Sequence, residues 1–272
     1  MKEGIFLVKN RLKTGIDSLA IEDRLQYNPE IIEFFLNTQS LEDIELLREK
    51  VRYVKSKGIK VYLHHPAKLN GKFLDILSED PAIKEYYTWS SKVLAQFCKE
   101  EDIRCVIHCH YSGGECAGPV DLERTLKMKD EISKILEFGR EVFLWEDTIE
   151  GLFAHTNPYL LEHVIKPLQL DLNLDISHSY IATKGDNDEL YAIVQRTAPF
   201  VKYLHVVDSF GQEHDGRELG KGSINWAPLK PYIEGKDFVF EILLEDVNDC
   251  SPMVRSAEYF NSLQPIASTH SL

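Results

Sequence analysis

The chain has 272 residues, 44 acidic and 31 basic, and its formal net charge is −13. This length suits one α/β barrel, which typically has about 250 residues. The charge disfavours a nucleic-acid partner without excluding one, because phosphate backbones are neutralised by clustered lysine and arginine. The five cysteines form no CxxC pair, which argues against a disulfide framework and fits a reducing compartment.

The sequence shows no targeting or membrane-spanning pattern. The N-terminal segment lacks the long apolar stretch of a secretory signal. No apolar run approaches the roughly 20 residues needed to cross a bilayer. These features predict a soluble, cytoplasmic protein. A homo-oligomer is left open, because the helical segments carry no unambiguous exposed apolar face.

Short apolar runs alternate with segments of helical periodicity along the chain. The runs predict eight strands: Gly4–Val8, Pro29–Leu36, Ile59–His65, Ile103–His110, Glu141–Asp147, Leu168–Asp175, Phe200–Asp208 and Lys236–Leu244. The segments between and after them predict helices near Ile16–Gln26, from Ser40 to Lys57, Pro81–Glu101, Asp121–Gly139, Pro158–Pro167, Asp188–Ala198, near Trp226 and Pro252–Leu263. This alternation predicts a single-domain α/β fold, a (β/α)8 TIM barrel over residues 1–263 with a loose tail at 264–272.

The helix after the second predicted strand has the clearest amphipathic pattern. Ser40 is expected to cap it, with Asp43 three positions on in an arrangement like a capping box. Apolar residues then recur at helical spacing and predict its core face: Leu41, Ile44, Leu47, Val51 and Val54.

Six of the predicted strands contain a short apolar run with a side chain that can bind a metal ion at or just past its end. These residues are His64, His108, Glu146, Asp175, His205 and Glu241. Their residue numbers differ by 29 to 44 from one to the next, close to the roughly 30 or more residues of a strand-helix-strand unit. Parallel barrels carry their chemistry at the carboxyl ends of the strands. The pattern therefore predicts a ring of ligands at one mouth of the barrel.

Two sets of ligands can be separated by their chemistry. Three carboxylates and one imidazole form an inner set that suits a divalent cation, Zn²⁺ or Mn²⁺ and also Mg²⁺ or Co²⁺: Glu146, Asp175, His205 and Glu241. His64 and His108 form an outer pair that could hold a second ion with Glu146 as a bridge. One ion is expected, and two if the outer pair is occupied. His64 and His108 could equally bind substrate.

Three further residues are predicted to contact substrate. His178 follows Asp175 in a D-x-x-H pair, so both lie near the exit of the same strand. Asp215 and Arg217 lie in the polar loop after the seventh strand, and a guanidinium suits bidentate contacts with anions or hydroxyls. Asp147 and Asp208 follow ligand positions and are expected to orient the ligands.

These motifs resemble those of the xylose-isomerase-like TIM barrel superfamily, which includes sugar isomerases, epimerases and endonuclease IV. The resemblance runs from the third strand to the eighth. It rests on WEDT with Glu146, LDISH with Asp175, YLHVVDS with His205, VFEI with Glu241, and the turn LGKGSINW. The resemblance implies that these four residues bind the essential metal. In the epimerases of the superfamily, the acid-base pair consists of two metal-bound glutamates. The resemblance further implies that Glu146 and Glu241 form this pair here.

Endonuclease IV offers a second comparison within the superfamily. His64 and His108 match its zinc-binding histidines, and His178 matches a ligand of its third zinc. Where that enzyme has a D-x-H motif, this chain reads Asp215-Gly216-Arg217, and arginine cannot ligate a metal.

Two functions follow as expectations. The first is a metal-dependent isomerase or epimerase of a small carbohydrate, a sugar or sugar phosphate. The alternative is a zinc-dependent phosphodiesterase of the endonuclease IV type (AP endonuclease family 2), which the net charge disfavours. A barrel that binds a metal or a sugar without catalysis is a third reading.

Overall fold

The computed structural model describes residues 8–111, 113 and 116–264. In this part of the chain, eight parallel strands close into a barrel in chain order. They are β1 (Arg11–Thr14), β2 (Ile31–Phe35), β3 (Lys60–His64), β4 (Arg104–Ile107), β5 (Phe143–Glu146), β6 (Leu172–Asp175), β7 (Val201–Val206) and β8 (Asp237–Phe240). The ring closes where Leu12 of β1 pairs with Phe240 of β8. The predicted (β/α)8 barrel is confirmed.

Helices surround this barrel and cover the apolar outer faces of the strands. They are α1 (Ser18–Leu25), α2 (Thr38–Glu42), α3 (Ile44–Lys55), α4 (Pro81–Glu101), α5 (Leu122–Gly139), α6 (Lys166–Leu168), α7 (Ile176–Ala182), α8 (Asn187–Thr197), α9 (Trp226–Ile233) and α10 (Ser251–Ser262). A π-helical turn, Leu161–Ile165, precedes α6, and a short antiparallel hairpin pairs Lys68–Leu69 with Lys72–Phe73. None of the described helices is long and apolar enough to cross a bilayer.

The start of the barrel differs from the prediction. The predicted strand Gly4–Val8 lies, apart from Val8, outside the described residues, and the first barrel strand is Arg11–Thr14. Its charged residues gave it the pattern of an exposed segment, yet Arg11 and Lys13 are both buried. Arg11 donates to the Glu30 carboxylate and to a backbone carbonyl, so its charge is compensated inside the fold.

The first long helical segment also begins differently. Asn37 caps α2 in a capping box with Ser40, and Asp43 then caps α3 by accepting from the backbone of Leu46. Ser40 is therefore the third residue of a short helix rather than a cap, because Asn37 offers its side-chain carbonyl three residues earlier. The core face of α3 is as predicted, with Leu47, Val51 and Val54 buried.

The interior of the barrel is arranged in layers along the strands. One layer is a closed apolar cluster of inward-facing residues: Ile31, Tyr62, Val106, Leu144, Tyr203 and Val239. Side chains alternate across a strand with a period of two. On each strand, the next side chain that faces inward comes two residues later and lies nearer the carboxyl end of the strand. This geometry places Glu33, His64, His108, Glu146, His205 and Glu241 in one polar layer above an apolar floor.

Candidate functional site

The structure brings the predicted inner set together at the mouth of the barrel. One ligand atom from each of Glu146, Asp175, His205 and Glu241 lies within 4.8 Å of the other three. His205 is at the centre of the group. Its Nδ1 lies 2.5 Å from Glu241 Oε2, 3.2 Å from Glu146 Oε1 and 3.8 Å from Asp175 Oδ2. The residues come from β5, β6, β7 and the end of β8, as the strand-end pattern predicts.

The inner cluster has donor atoms that fit a divalent cation. Among the described residues, the buried atom Asp175 Oδ2 has no hydrogen-bond partner, while Glu241 Oε2 is paired with His205 Nδ1 at 2.5 Å. Leaving buried carboxylate oxygens unpaired is costly, and carboxylates this close together repel one another. A cation would remove both costs. Three carboxylates and one imidazole suit Zn²⁺, Mn²⁺ or Mg²⁺.

The predicted outer pair also converges, and it does so on the same glutamate. Glu146 Oε2 lies 3.0 Å from His64 Nε2 and 3.3 Å from His108 Nε2. The other ring nitrogen of His64 donates to the carbonyl of His65 at 2.9 Å, which leaves Nε2 free to act as a ligand. The two oxygens of Glu146 therefore face different clusters, as expected of a carboxylate that bridges two ions.

A third group contains a residue that sequence reasoning missed. Asp175, His178 and His214 also place ligand atoms within 4.8 Å of one another. The rings of His178 and His214 have centroids 4.9 Å apart. His214 lies in the loop after β7, directly before Asp215. It was overlooked because the D-x-H comparison directed attention to Asp215 and Arg217, one and three residues later.

Asp215 and Arg217 themselves lie to one side of the site. The Arg217 guanidinium packs over the ring of Phe210 at 4.0 Å and donates to the Asp215 carboxylate. Neither side chain lines the central cavity, whereas His214 and Gly216 do. Their predicted role in substrate binding stays a prediction.

Lys13 and Glu33 are two buried charged residues that the sequence analysis also missed. They are partners in the register of β1 and β2, and Lys13 Nζ lies 2.9 Å from Glu33 Oε1 and 2.6 Å from Glu241 Oε1. Glu33 Oε2 lies 3.0 Å from Nε2 of His205. A glutamate inside the apolar run of β2 was the available signal. A carboxylate behind a metal-binding histidine fixes its ring orientation and raises its basicity.

The carboxylates around His205 control its protonation. Burial disfavours the charged imidazole, but Glu241 and Glu33 outweigh burial and raise the pKa of His205 well above its usual range. Burial likewise opposes ionisation of Glu33, yet His205 and Lys13 lower its pKa to about 2. In the metal-free protein, a proton on His205 thus supplies part of the positive charge that this cluster of carboxylates requires.

The pKa values of two histidines farther from the inner cluster shift in opposite directions. Burial lowers the pKa of His108 to about 3, although the Glu146 carboxylate opposes the shift. Burial also acts to lower the pKa of His178, but Asp175 and Glu146 outweigh it and raise the value to about 9. His108 is therefore neutral at pH 7, while the metal-free His178 ring carries a positive charge.

Asp147 orients two residues of the site. Its carboxylate accepts from the backbone N–H of Asp175 at 2.8 Å and from the Ser179 hydroxyl at 2.9 Å. Its backbone carbonyl accepts from Nδ1 of His178 at 2.9 Å. Asp175 in turn caps α7, since its Oδ1 accepts from the backbone of His178 at 3.0 Å. The helix, which the sequence did not predict, holds the D-x-x-H pair in place.

Asp208 organises the turn after β7 and does not contact the clusters. Its carboxylate accepts from the backbone of Gly220 and Ile224 and from the indole N–H of Trp226. A Cβ on Gly222 would come within 2.3 Å of Asp208 Oδ1, so only glycine fits there. This network explains the spacing of the GKGSINW segment.

A cavity of about 820 Å³ opens above the clusters. Polar side chains form its base, and they include His64, His108, Glu146, His178 and Glu241. Its walls and mouth are largely apolar and include Phe35, Leu36, Phe73, Ile242, Leu243, Leu244 and Val247. This cavity connects the inner cluster with the carboxyl-terminal face of the barrel.

Comparisons with known proteins identify the fold. No family model and no curated protein matches the chain. A solved D-tagatose 3-epimerase-like protein is 14% identical, with 92% of this chain and 95% of that chain covered and a TM-score of 0.69. A Thermus thermophilus protein soaked with zinc chloride is 20% identical, with 93% and 99% covered and a TM-score of 0.69. D-psicose 3-epimerase from Clostridium cellulolyticum, with D-tagatose, is 14% identical, with 93% and 96% covered and a TM-score of 0.67.

At these identities the likeness establishes the fold. The chain has the TIM-barrel fold of these epimerases and of a solved xylose isomerase domain protein, so the resemblance inferred from its motifs is confirmed for the fold.

Proposed function

We propose that this protein is a divalent-metal-dependent isomerase or epimerase that moves a proton beside the carbonyl group of a sugar. The observation that carries the proposal is the placement of two glutamates around one cluster. Glu146 and Glu241 approach His205 Nδ1 from β5 and from the end of β8, and both line the cavity. The structural neighbours named for D-tagatose and D-psicose 3-epimerases support the same reaction class.

Glu146 and Glu241 would carry the proton. Burial opposes their ionisation, but neighbouring cations outweigh it and hold the pKa of each glutamate well below its usual range. Both are therefore ionised at pH 7. One carboxylate would take the proton from the carbon beside the carbonyl. The other, on the opposite face of that carbon, would first take up a proton from water or from a substrate hydroxyl and would then deliver it to the carbon. Which face each serves depends on the sugar.

The remaining residues would hold the metal and the substrate. Four residues would bind the ion: Glu146, Asp175, His205 and Glu241. A divalent ion there would polarise the carbonyl and an adjacent hydroxyl as a Lewis acid. Lys13 Nζ, 2.6 Å from Glu241 Oε1, would keep that carboxylate ionised between turnovers. His178 would donate a hydrogen bond to a substrate hydroxyl.

Deuterium wash-in tests the proposal directly. The protein, loaded with Mn²⁺ or Zn²⁺, would be incubated in heavy water with a panel of ketoses that includes D-tagatose, D-psicose and D-fructose. Exchange of the proton beside the carbonyl is expected, and Glu241→Gln should slow it by about 10²–10⁴-fold. Glu245→Gln, an exposed glutamate four residues later in the same loop, is the matched control and should exchange at the wild-type rate. Absence of exchange across the panel with metal bound would overturn the proposal.

The outer cluster favours a second candidate, a zinc-dependent phosphodiesterase. Glu146 faces His64 and His108 with one oxygen and His205 with the other, as two-metal phosphoester hydrolysis would require. The double substitution His64→Leu with His108→Leu distinguishes the two functions. It should remove a second ion and abolish nicking of an abasic-site duplex if the protein is a phosphodiesterase. If it is an epimerase, ketose exchange should persist within about tenfold, since the inner acid-base pair is intact.

A further inference from the structure

Four large apolar side chains at the mouth of the cavity are exposed to solvent. Phe35 is 47% exposed, Phe73 39%, Leu243 74% and Val247 60%. All four line the cavity above the metal-binding clusters, and they are called the apolar rim below. Twelve large apolar residues are exposed in the described part of the chain, so a third of them lie around this one opening. Clustered exposed apolar surface marks a binding surface more often than scattered residues do.

The apolar rim is held in place by the fold. Leu243 donates its backbone N–H to the carbonyl of Gly216 at 2.8 Å, and Arg24 donates to the carbonyl of Val247. Phe73 stacks on Tyr111 with ring centroids 4.3 Å apart. These contacts come from different elements and fix the backbone at Leu243 and Val247 and the ring of Phe73. A preorganised apolar surface of this kind can bind a ligand without first being ordered.

The cavity offers little to an anionic substrate. Among the described residues that line it, the lysines and arginines are Lys13 and Arg24. Lys13 is paired with Glu33 and Glu241, while Arg24 is buried and bonded to Asp23 and to backbone carbonyls. A phosphate at the base of the cavity would meet the carboxylates of Glu146 and Glu241, and the protonated ring of His178 there already faces Glu146 at 3.7 Å and Asp175 at 3.8 Å. The lining therefore suits an uncharged ligand.

The size of the cavity leaves room for more than a sugar. Its volume of about 820 Å³ is toward the upper end of the roughly 300–1,000 Å³ range of sites that enclose drug-sized ligands. The residues of the metal-binding clusters lie at the base, and large apolar side chains, together with the exposed Asp17 and His214, line the walls and mouth. A ligand that matches both regions has a polar end and an apolar end.

We propose that the substrate is an uncharged carbohydrate that carries an apolar substituent, with the sugar over the inner cluster and the substituent against the apolar rim. This inference rests on the proposed function, because it assigns the sugar to the acid-base pair. It adds the chemical class of the group that the sugar carries. Sugar phosphates are disfavoured by the same lining.

Calorimetric titration with methyl, butyl and hexyl β-D-glucopyranoside tests the inference. These probes share one sugar and differ in the length of the alkyl chain, and each is used below its micelle-forming concentration with the metal-loaded protein. Affinity is expected to rise along the series by up to about fourfold for each methylene that is buried. Leu243→Ser should reduce the ratio of hexyl to methyl affinity by about 3- to 10-fold. Leu19→Ser is the matched control, because Leu19 is 70% exposed on α1 and does not line the cavity.

The outcomes separate this inference from the proposed reaction. Equal affinity for the three probes, or no binding by the hexyl probe, overturns the inference, whatever the ketose exchange assay shows. A rise with chain length that Leu243→Ser leaves unchanged also overturns it, because the alkyl chain would then bind elsewhere. If the rim is instead an interface between two copies of the chain, Leu243→Ser should convert a dimer to a monomer in sedimentation and the series should be flat. Alkyl selectivity without ketose exchange would overturn the proposed reaction and leave the role of the rim standing.

Discussion

The two clusters at the barrel mouth share Glu146 but differ in composition. The inner cluster combines three carboxylates with one imidazole, whereas the outer cluster combines two imidazoles with the one shared carboxylate. Behind the inner cluster lie Glu33 and Lys13, which add a negative and a positive charge in the same layer. The donor atoms of the inner cluster thus suit an oxygen-preferring cation, and those of the outer cluster suit zinc better.

The same contrast appears in the protonation of the histidines. Carboxylates outweigh burial at His205 and raise its pKa well above its usual range, whereas burial dominates at His108 and lowers its pKa to about 3. Both rings are within contact of Glu146. The number of carboxylates around each ring therefore decides its charge more than burial does. In the metal-free protein, protonated His205 therefore supplies positive charge to the inner cluster, whereas His108 stays neutral and supplies none to the outer cluster.

Removal of the shared carboxylate should break both clusters at once and is expected to have the largest effect. Glu146→Gln keeps the shape of the side chain and removes its charge, so metal content should fall at both clusters in elemental analysis. Ketose exchange should fall by about 10²–10⁴-fold. Asp175 belongs to the inner cluster and to the group with His214, but not to the outer cluster. Asp175→Asn should therefore leave in place an ion bound by His64 and His108.

Glu141→Gln is the control for Glu146→Gln, since Glu141 is exposed before the same strand, β5. Its metal content should equal that of the wild type. If Glu146→Gln kept a full complement of ions, the carboxylate would not be a shared ligand, and the division into two clusters joined by one residue would be wrong.

The difference between the clusters also explains what the sequence could predict. The six strand-end ligands were predictable because each follows an apolar run and a parallel barrel brings such ends to one face. The barrel itself followed from the same alternation. Lys13 was missed because its strand, RLKT, has the composition of an exposed segment, and its burial depends on Glu33 and Glu241 from distant parts of the chain.

Residues on loops were less predictable than residues on strands. His214 joins Asp175 and His178 only because the turn built around Asp208 directs the loop after β7 back over the barrel. Neither periodicity nor motif spacing encodes that path. The apolar rim was missed for a related reason. Leu243 lies within the predicted strand Lys236–Leu244, and no sequence pattern marked Val247, whereas the structure exposes both residues.

Substitution of the residue behind His205 should sharpen the comparison by weakening one cluster alone. Glu33→Gln removes the carboxylate that lies 3.0 Å from His205 Nε2 and leaves the charge of Lys13 partly unpaired. Loss of such an orienting partner typically weakens metal binding by about 10- to 100-fold. Chelator competition should show this loss for the inner ion and no change for an ion held by His64 and His108.

Glu42→Gln, an exposed glutamate on α2, is the control for Glu33→Gln and should bind metal as the wild type does. Equal weakening of both ions in Glu33→Gln would show that the two clusters respond as one unit. Unchanged affinity would show that Lys13 and the remaining ligands position His205 without Glu33.

The smallest expected effects concern the pH dependence of stability in the metal-free protein. The pKa of His108 is lowered to about 3, so above that pH the folded protein keeps this ring neutral while the unfolded chain binds a proton below about pH 6.5. Stability is therefore lost as the pH falls from about 6.5 toward 3, by about 2 kcal/mol at pH 5. His178 has the opposite sign. Its pKa is raised to about 9, so its contribution is present below about pH 6.5 and is lost as the pH rises through 9.

Urea unfolding of chelated protein across the pH range should separate these two contributions. Relative to the wild type, His108→Leu should lose less stability between pH 7 and pH 5, and His178→Asn should lose less between pH 7 and pH 10, each by about 2 kcal/mol. The comparison of each variant with the wild type cancels the other groups that titrate in the same range, such as His65 and His155, whose pKa values burial also lowers to about 3. If both substitutions changed the pH dependence of the free energy of unfolding in the same direction, the surrounding carboxylates would not distinguish the two rings.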